Sequence, residues 1–311
     1  MGSNRSNGQF LQNAWRARTV VPAFNIPYLP MMEAVVRALR DTDSFGLIAV
    51  ARLEWVKFES RSLEAVHAEY ERLADPRFTG LHLDHVPVID EDNAKVDYEE
   101  VIGRAIEVGY GSVMVDGSRL SLRENIVCSR KIAEMAHAVG IPVEAELGAV
   151  LGHEAGPLPS YDELFASGRG FTDPDEAALF VRKTGVDWLS VAIGNIHGAI
   201  SGAARHAKKT RARLDLEHLA RISGAAGIPL VLHGGTGIPK DSVIAAVRKG
   251  VAKVNVATGI RQPYERLTRM SASLARQAVY DAAVDILGEL EVAGQASIIN
   301  AESRSHERSR Y

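Results

Sequence analysis

Cysteine is nearly missing. Cys128 is the single one in 311 residues, which excludes an intramolecular disulfide and any thiolate zinc cluster. Long apolar runs are missing too. None reaches the ~18 residues of a membrane span, and the opening MGSNRSNGQF is polar, unlike a signal peptide. Neither sign of charge is in excess: 36 basic against 39 acidic side chains leave a net charge of −3. That balance carries no footprint for nucleic acid or an anionic membrane. The expectation is a soluble, cytoplasmic protein with neither as a partner, in which any metal is held by His, Asp and Glu.

What is present is a regular alternation. Short, near-continuously apolar runs at 20–24, 46–51, 81–84, 112–115, 142–146, 188–193, 229–232 and 253–256 read as strands buried on both faces. Helical spacing fills 31–41, 62–73, 98–108, 122–139, 174–183, 214–225 and 240–249. Asp173 before Pro174 is a helix-start signal, and Gly109, Gly140, Gly185, Gly227 and Gly250 stand just past helix ends. Eight strands each followed by a helix is the count of an α/β (βα)8 TIM barrel. A doubly wound sheet is the rival, but it would want a phosphate loop after the first strand, and Asn25-Ile-Pro-Tyr is none. The barrel is expected over 1–287 as a single domain, with a mobile polar extension over 288–311. The connection 151–172 is long and rich in Gly, Pro and Ser.

Barrel chemistry belongs at the C-terminal ends of the strands. Those exits read Asn25, Arg52, Asp84-His85, Asp116, Glu146, Asn195 to His197, His233 and Asn255 to Thr258. The strand starts, by contrast, are mostly proline and small apolar residues. His85, His197 and His233 leave three different strands and suit one ion with three protein ligands. The remaining histidines fall in helices, loops or the tail, except His82, which reads as a satisfied core residue within a strand. Consecutive strand residues face opposite ways, so Asp84 and His85 both reach the site only if the strand ends there and turns at Val86-Pro87. Asp84 beside a metal suits general acid/base work. Asp116 and Glu146 are candidates for orienting the ligands or for a neighbouring metal position, or form a polar cap on the barrel mouth. Gly234, Gly235, Thr236 and Gly237 after the seventh strand, with Asn255 to Thr258 after the eighth, occupy the usual barrel phosphate site. Arg261 is near enough to add a bidentate contact.

No lysine stands at a strand tip; Lys253 lies at the start of its strand. This disfavours a Schiff base and favours metal chemistry. A metal-dependent hydrolase would want a His-x-His pair at the first exit, which is absent. A non-catalytic sugar-phosphate binder would have little reason to keep Asp84 with three histidines.

At these residues the sequence resembles the class II, metal-dependent ketose-bisphosphate aldolases. The stretches that carry the resemblance are VPAFN, LHLDH, GYGSVMVDGS, VEAELG, TGVDWLSVAIGNIHG, PLVLHGGTG and VAKVNVAT, spread in order over about 20–265. The resemblance implies reversible cleavage of tagatose or fructose 1,6-bisphosphate to dihydroxyacetone phosphate and an aldehyde. It implies a catalytic zinc (Zn2+) on His85, His197 and His233, with a second divalent or a monovalent cation left open. Asp84 would handle the C4 hydroxyl proton and Glu154 a proton at the triose carbon. Asp116 and Glu146 match an alternative metal position. Asn25, Gly198, Gly234, Gly235, Thr236, Asn255 and Thr258 fall at substrate and phosphate positions. Arg261 matches an arginine that reaches a neighbouring subunit's substrate, which implies a homodimer or homotetramer. The departures are Ala257, Gly259, Ser201, Val86 and Ala51-Arg52, and they leave the sugar open.

Overall fold

The apolar runs become parallel strands because each is covered twice, by helices outside and by side chains within. In the computed structural model, which describes residues 6–148, 161–195 and 212–301, the strands are β1 (Val21–Asn25), β2 (Gly46–Ala51), β3 (Thr79–Pro87), β4 (Val113–Asp116), β5 (Val143–Leu147), β6 (Trp188–Val191), β7 (Leu230–Leu232) and β8 (Val251–Val256). They close in sequence order, β8 pairing in parallel with β1. The expected barrel is the observed one.

Helices α1 (Asn7–Ala17), α2 (Met31–Asp41), α3 (Arg52–Val56) and α4 (Leu63–Leu73) occupy the first quarter of the chain. Then come α5 (Tyr98–Val108), α6 (Leu122–His137), α7 (Tyr161–Ser167), α8 (Pro174–Thr184) and α9 (Leu216–Ala226). The last are α10 (Lys240–Arg248), α11 (Thr258–Leu267), α12 (Ala272–Glu289) and α13 (Ala296–Ile299). The start signal at Asp173 holds: its carboxylate accepts the N–H groups of Asp175 and Glu176 at 2.9 Å each. Gly109 closes α5 at φ 114°, a left-handed position that only glycine takes cheaply.

Two features were not legible in the sequence. The polar opening hides α1, whose Phe10, Leu11 and Ala14 enter the bottom of the barrel against Phe45, Leu47 and Val231. Asn7 fixes that plug, its amide donating to Leu81 O at 2.8 Å and to Ser112 Oγ at 2.7 Å. The extension expected from Gly288 begins inside α12, and Val292, Ala296 and Ile299 beyond it are buried. The apolar residues of this stretch are split between a turn and the four-residue α13, too short to show a period in the sequence. Gln295 completes the attachment by donating to Val20 O at 3.0 Å.

Candidate active site

β3 does not end at His85. It runs on to Pro87, and its register against β4 slips between Leu83 and Val86. The extra residue is a bulge, which breaks the alternation and lets Asp84 and His85 both serve the barrel mouth. A bulge, rather than the expected turn, solves the facing problem.

Asp84 is buried between two amides. Asn25 Nδ2 donates to its Oδ2 at 2.8 Å, and Asn255 Nδ2 reaches both carboxylate oxygens at 2.9 Å. Burial alone would raise this carboxyl, but the positive charges of His85 and Lys253 hold it well below the usual carboxylate range. Asn255 Oδ1 is buried without a hydrogen-bond partner among the described residues.

His85 and His233 face each other edge to face, ring centroids 4.3 Å apart, with Nε2 of the first against Nδ1 of the second. Each outer nitrogen is claimed by a carboxylate: Asp116 Oδ2 lies 3.1 Å from His85 Nδ1, and Glu144 Oε1 lies 2.8 Å from His233 Nε2. Burial works against a charge on His85, but Asp84, Asp116 and Glu146 pull it up to about 10. Burial and the His85 charge push His233 down to about 4. The two imidazole nitrogens face each other at a spacing that suits one shared cation. Glu146 Oε2 completes the cluster, 3.6 Å from His233 Nδ1 and 4.0 Å from His85 Nε2, braced by Ser190 Oγ at 3.1 Å. Burial and the neighbouring Asp116 push it up to about 8. Ligand atoms of Asp84, His85 and His233, and those of His85, Asp116 and Glu146, lie within 4.8 Å of one another. Two imidazoles and several carboxylates fit zinc better than magnesium or calcium, which prefer oxygen alone.

Asp116, bonded to His85, is tied in turn by Ser118 N at 2.9 Å and Oγ at 2.6 Å. Thr236 Oγ1 accepts Gly259 N–H at 3.0 Å and Gly235 donates to Asn255 O at 3.0 Å, joining the β7 and β8 loops beside the start of α11. Gly234 stands there at φ 71°, and Thr258, the first residue of α11, is buried. Arg261 is buried one turn on, bonded to Glu265 at 2.6 Å. His197, Gly198 and Glu154 lie outside the described residues.

The sequence reading missed three residues. Lys253 is not at a strand start, because β8 begins two residues earlier; it lies inside the barrel with Nζ 2.7 Å from Glu144 Oε2. Glu144 itself went unremarked, although a charged residue two before Glu146 in an apolar strand must share its face. Glu54, on the short α3, is buried and accepts Ala51 N–H at 2.8 Å. His82 is only half satisfied: Nδ1 meets Ser112 Oγ at 2.8 Å, while Nε2 has no hydrogen-bond partner among the described residues.

The family model for class II fructose-bisphosphate aldolase matches residues 5–301. The chain belongs to that family. It is thereby an enzyme, a lyase of the aldolase type. The fructose-bisphosphate aldolase of Streptococcus pneumoniae is 35% identical over 280 residues, covering 88% of this chain and 86% of its own. That of Streptococcus pyogenes serotype M1 is 39% identical over 281 residues, with the same shares of the two chains, 88% and 86%. Among solved structures, the YdjI aldolase from Escherichia coli K12 superposes with a TM-score of 0.73 at 26% identity, covering 93% of this chain and 98% of its own. A putative fructose-1,6-bisphosphate aldolase from Coccidioides immitis gives 0.75 at 27% identity, with 96% and 99% covered. In this class II aldolase, β1, β3, β7 and β8 supply the groups gathered around Asp84.

Proposed function

We propose that the chain is a zinc-dependent aldolase reversibly cleaving a ketose 1,6-bisphosphate, of the tagatose or fructose type, to dihydroxyacetone phosphate and an aldehyde such as glyceraldehyde 3-phosphate. The observation that carries this reading is the buried Asp84 carboxyl, braced by two amides and adjacent to the facing pair His85 and His233. His85, His233 and His197 would hold the zinc, which when bound supplies a Lewis acid for the substrate carbonyl.

In cleavage, Asp84 takes the C4 hydroxyl proton. The O–H electrons close the new aldehyde carbonyl, and the C3–C4 bond pair stays with the triose fragment. In condensation Asp84 returns the proton. The Asn25 and Asn255 amides keep the carboxylate aimed. Asn255 Oδ1, without a partner among the described residues, is open to accept a substrate hydroxyl. One phosphate fits beside the turn from Gly234 to Gly237, whose Gly235 N–H is given to Asn255 O, and the start of α11 at Thr258. Glu154 would handle the proton at the triose carbon. Homodimer or homotetramer assembly and a cytoplasmic location belong to the same reading, supported by the resemblance at Arg261 and by composition; sedimentation of the purified protein checks the assembly.

The test is zinc-reconstituted cleavage of fructose 1,6-bisphosphate and tagatose 1,6-bisphosphate side by side, with a chelator control. Chelator-sensitive triose phosphate release supports the reading, and the faster sugar fixes the C4 preference. No release from either, without zinc in the protein, overturns it.

A further inference from the structure

One layer below Asp84, Glu146 and Asn255 the barrel carries a second set of polar side chains that the aldol chemistry leaves unassigned. His82, Glu144 and Lys253 each stand two residues before the group above, and each is fully buried. Glu144 is the hub. Its Oε2 accepts Trp188 Nε1 at 2.6 Å and Lys253 Nζ at 2.7 Å, and its Oε1 meets His233 Nε2 at 2.8 Å. An indole N–H and an ammonium can only donate, so the carboxylate is an acceptor toward them. A neutral imidazole has one donor nitrogen and one acceptor nitrogen, and the hydrogen bond at one decides the other.

We propose that Glu144, anchored by Lys253 and Trp188, is a positioning residue for the zinc site, fixing His233 with its proton on Nε2 and its Nδ1 lone pair toward His85. The inference rests on the reading of His85, His197 and His233 as ligands and adds the device that orients one of them. Asp116 does the corresponding work for His85, but through the opposite ring nitrogen, Nδ1. The two carboxylates differ in surroundings. Asp116 sits at the mouth with 16% of its side chain exposed, whereas the Glu144 side chain is 0% exposed. A carboxylate with no water around it needs an internal counter-charge, and Lys253 supplies it. The same ammonium lies 3.8 Å from Asp84 Oδ1, so one cation serves the carboxylate behind the zinc ligand and the carboxylate that moves the proton. This also gives the buried lysine a place in the barrel, paired with Glu144.

The experiment combines nitrogen-15 imidazole spectra of the metal-free protein with zinc titration against a competing chelator. In the wild type the His233 proton is expected on Nε2. Glu144→Gln leaves Lys253 uncompensated, so the charge-neutral pair Glu144→Gln with Lys253→Met is measured beside it. Both are expected to lose the fixed tautomer and to bind zinc about 10- to 100-fold more weakly, with the double variant keeping the wild-type melting temperature to within a few degrees. A merely structural role would move the melting temperature and leave the tautomer alone. If the wild type binds zinc and the double variant binds it as tightly, or if the His233 proton is on Nδ1, this inference is overturned while the aldolase reading stands. If the wild type binds no zinc, both fall.

Discussion

Asp84 has to be charged while fully buried, and every group around it serves that end. Two amides donate to it, and three cationic or polarised groups face it. Asp84→Asn keeps the shape and removes the proton acceptor, so kcat is expected to fall about 10²- to 10⁴-fold. Zinc content should stay at the wild-type level, and turnover with metal analysis checks both. Glu54 is the opposite case. Burial, with Asp84 nearby, pushes its carboxyl up to about 8 from an ordinary 4.5. The folded state therefore keeps a proton that the unfolded chain releases. The stability this contributes is complete below about 4.5 and is lost as pH rises through about 8. Glu54→Gln removes that dependence, so its melting temperature relative to the wild type should rise between pH 5 and pH 9; a flat difference across that range would show that Glu54 ionises freely. Sequence could find Asp84 because it adjoins a histidine at a strand exit. It could not find Glu54, whose neighbours Arg52 to Val56 read as a loop until α3 forms.

At the scale of elements, the apolar runs were legible because parallel strands are covered on both faces and leave no polar alternation to misread. The bulge in β3 was not legible. It is set by the pairing of Leu83 and Val86 with β4, a relation between strands rather than a property of either. α1 escaped for a related reason: it buries one face in a barrel that exists only once eight strands have closed. Tight joints matter here as much as pairing. A Cβ on Gly235 would come within 2.6 Å of Asn255 O, the carbonyl that accepts the Gly235 N–H. Gly235→Ala is thus expected to push the β7–α10 turn off β8. KM for the bisphosphate should rise about tenfold, ~1.4 kcal/mol of binding, while zinc affinity is kept. Steady-state kinetics at saturating zinc would show it, and an unchanged KM would remove this turn from the phosphate site.

Across the whole molecule, zinc that binds only the folded chain adds to its stability. At a free concentration 100 times its Kd the gain is about 2.7 kcal/mol. Chelation should accordingly lower the melting temperature and zinc alone restore it, a result scanning calorimetry reads without substrate. The barrel's closure has a further consequence, for synthesis. Asn13 in α1 donates to Ile299 O at 2.8 Å, and β1 finds its second neighbour only in β8. Helix α1 must wait for Ile299 to leave the ribosome before its seat is complete. Asn25 and Asn255, which flank Asp84, come from the two strands of that seam. A nascent chain short of β8 has no finished base, and so has no means of acting on a sugar before it has been made whole.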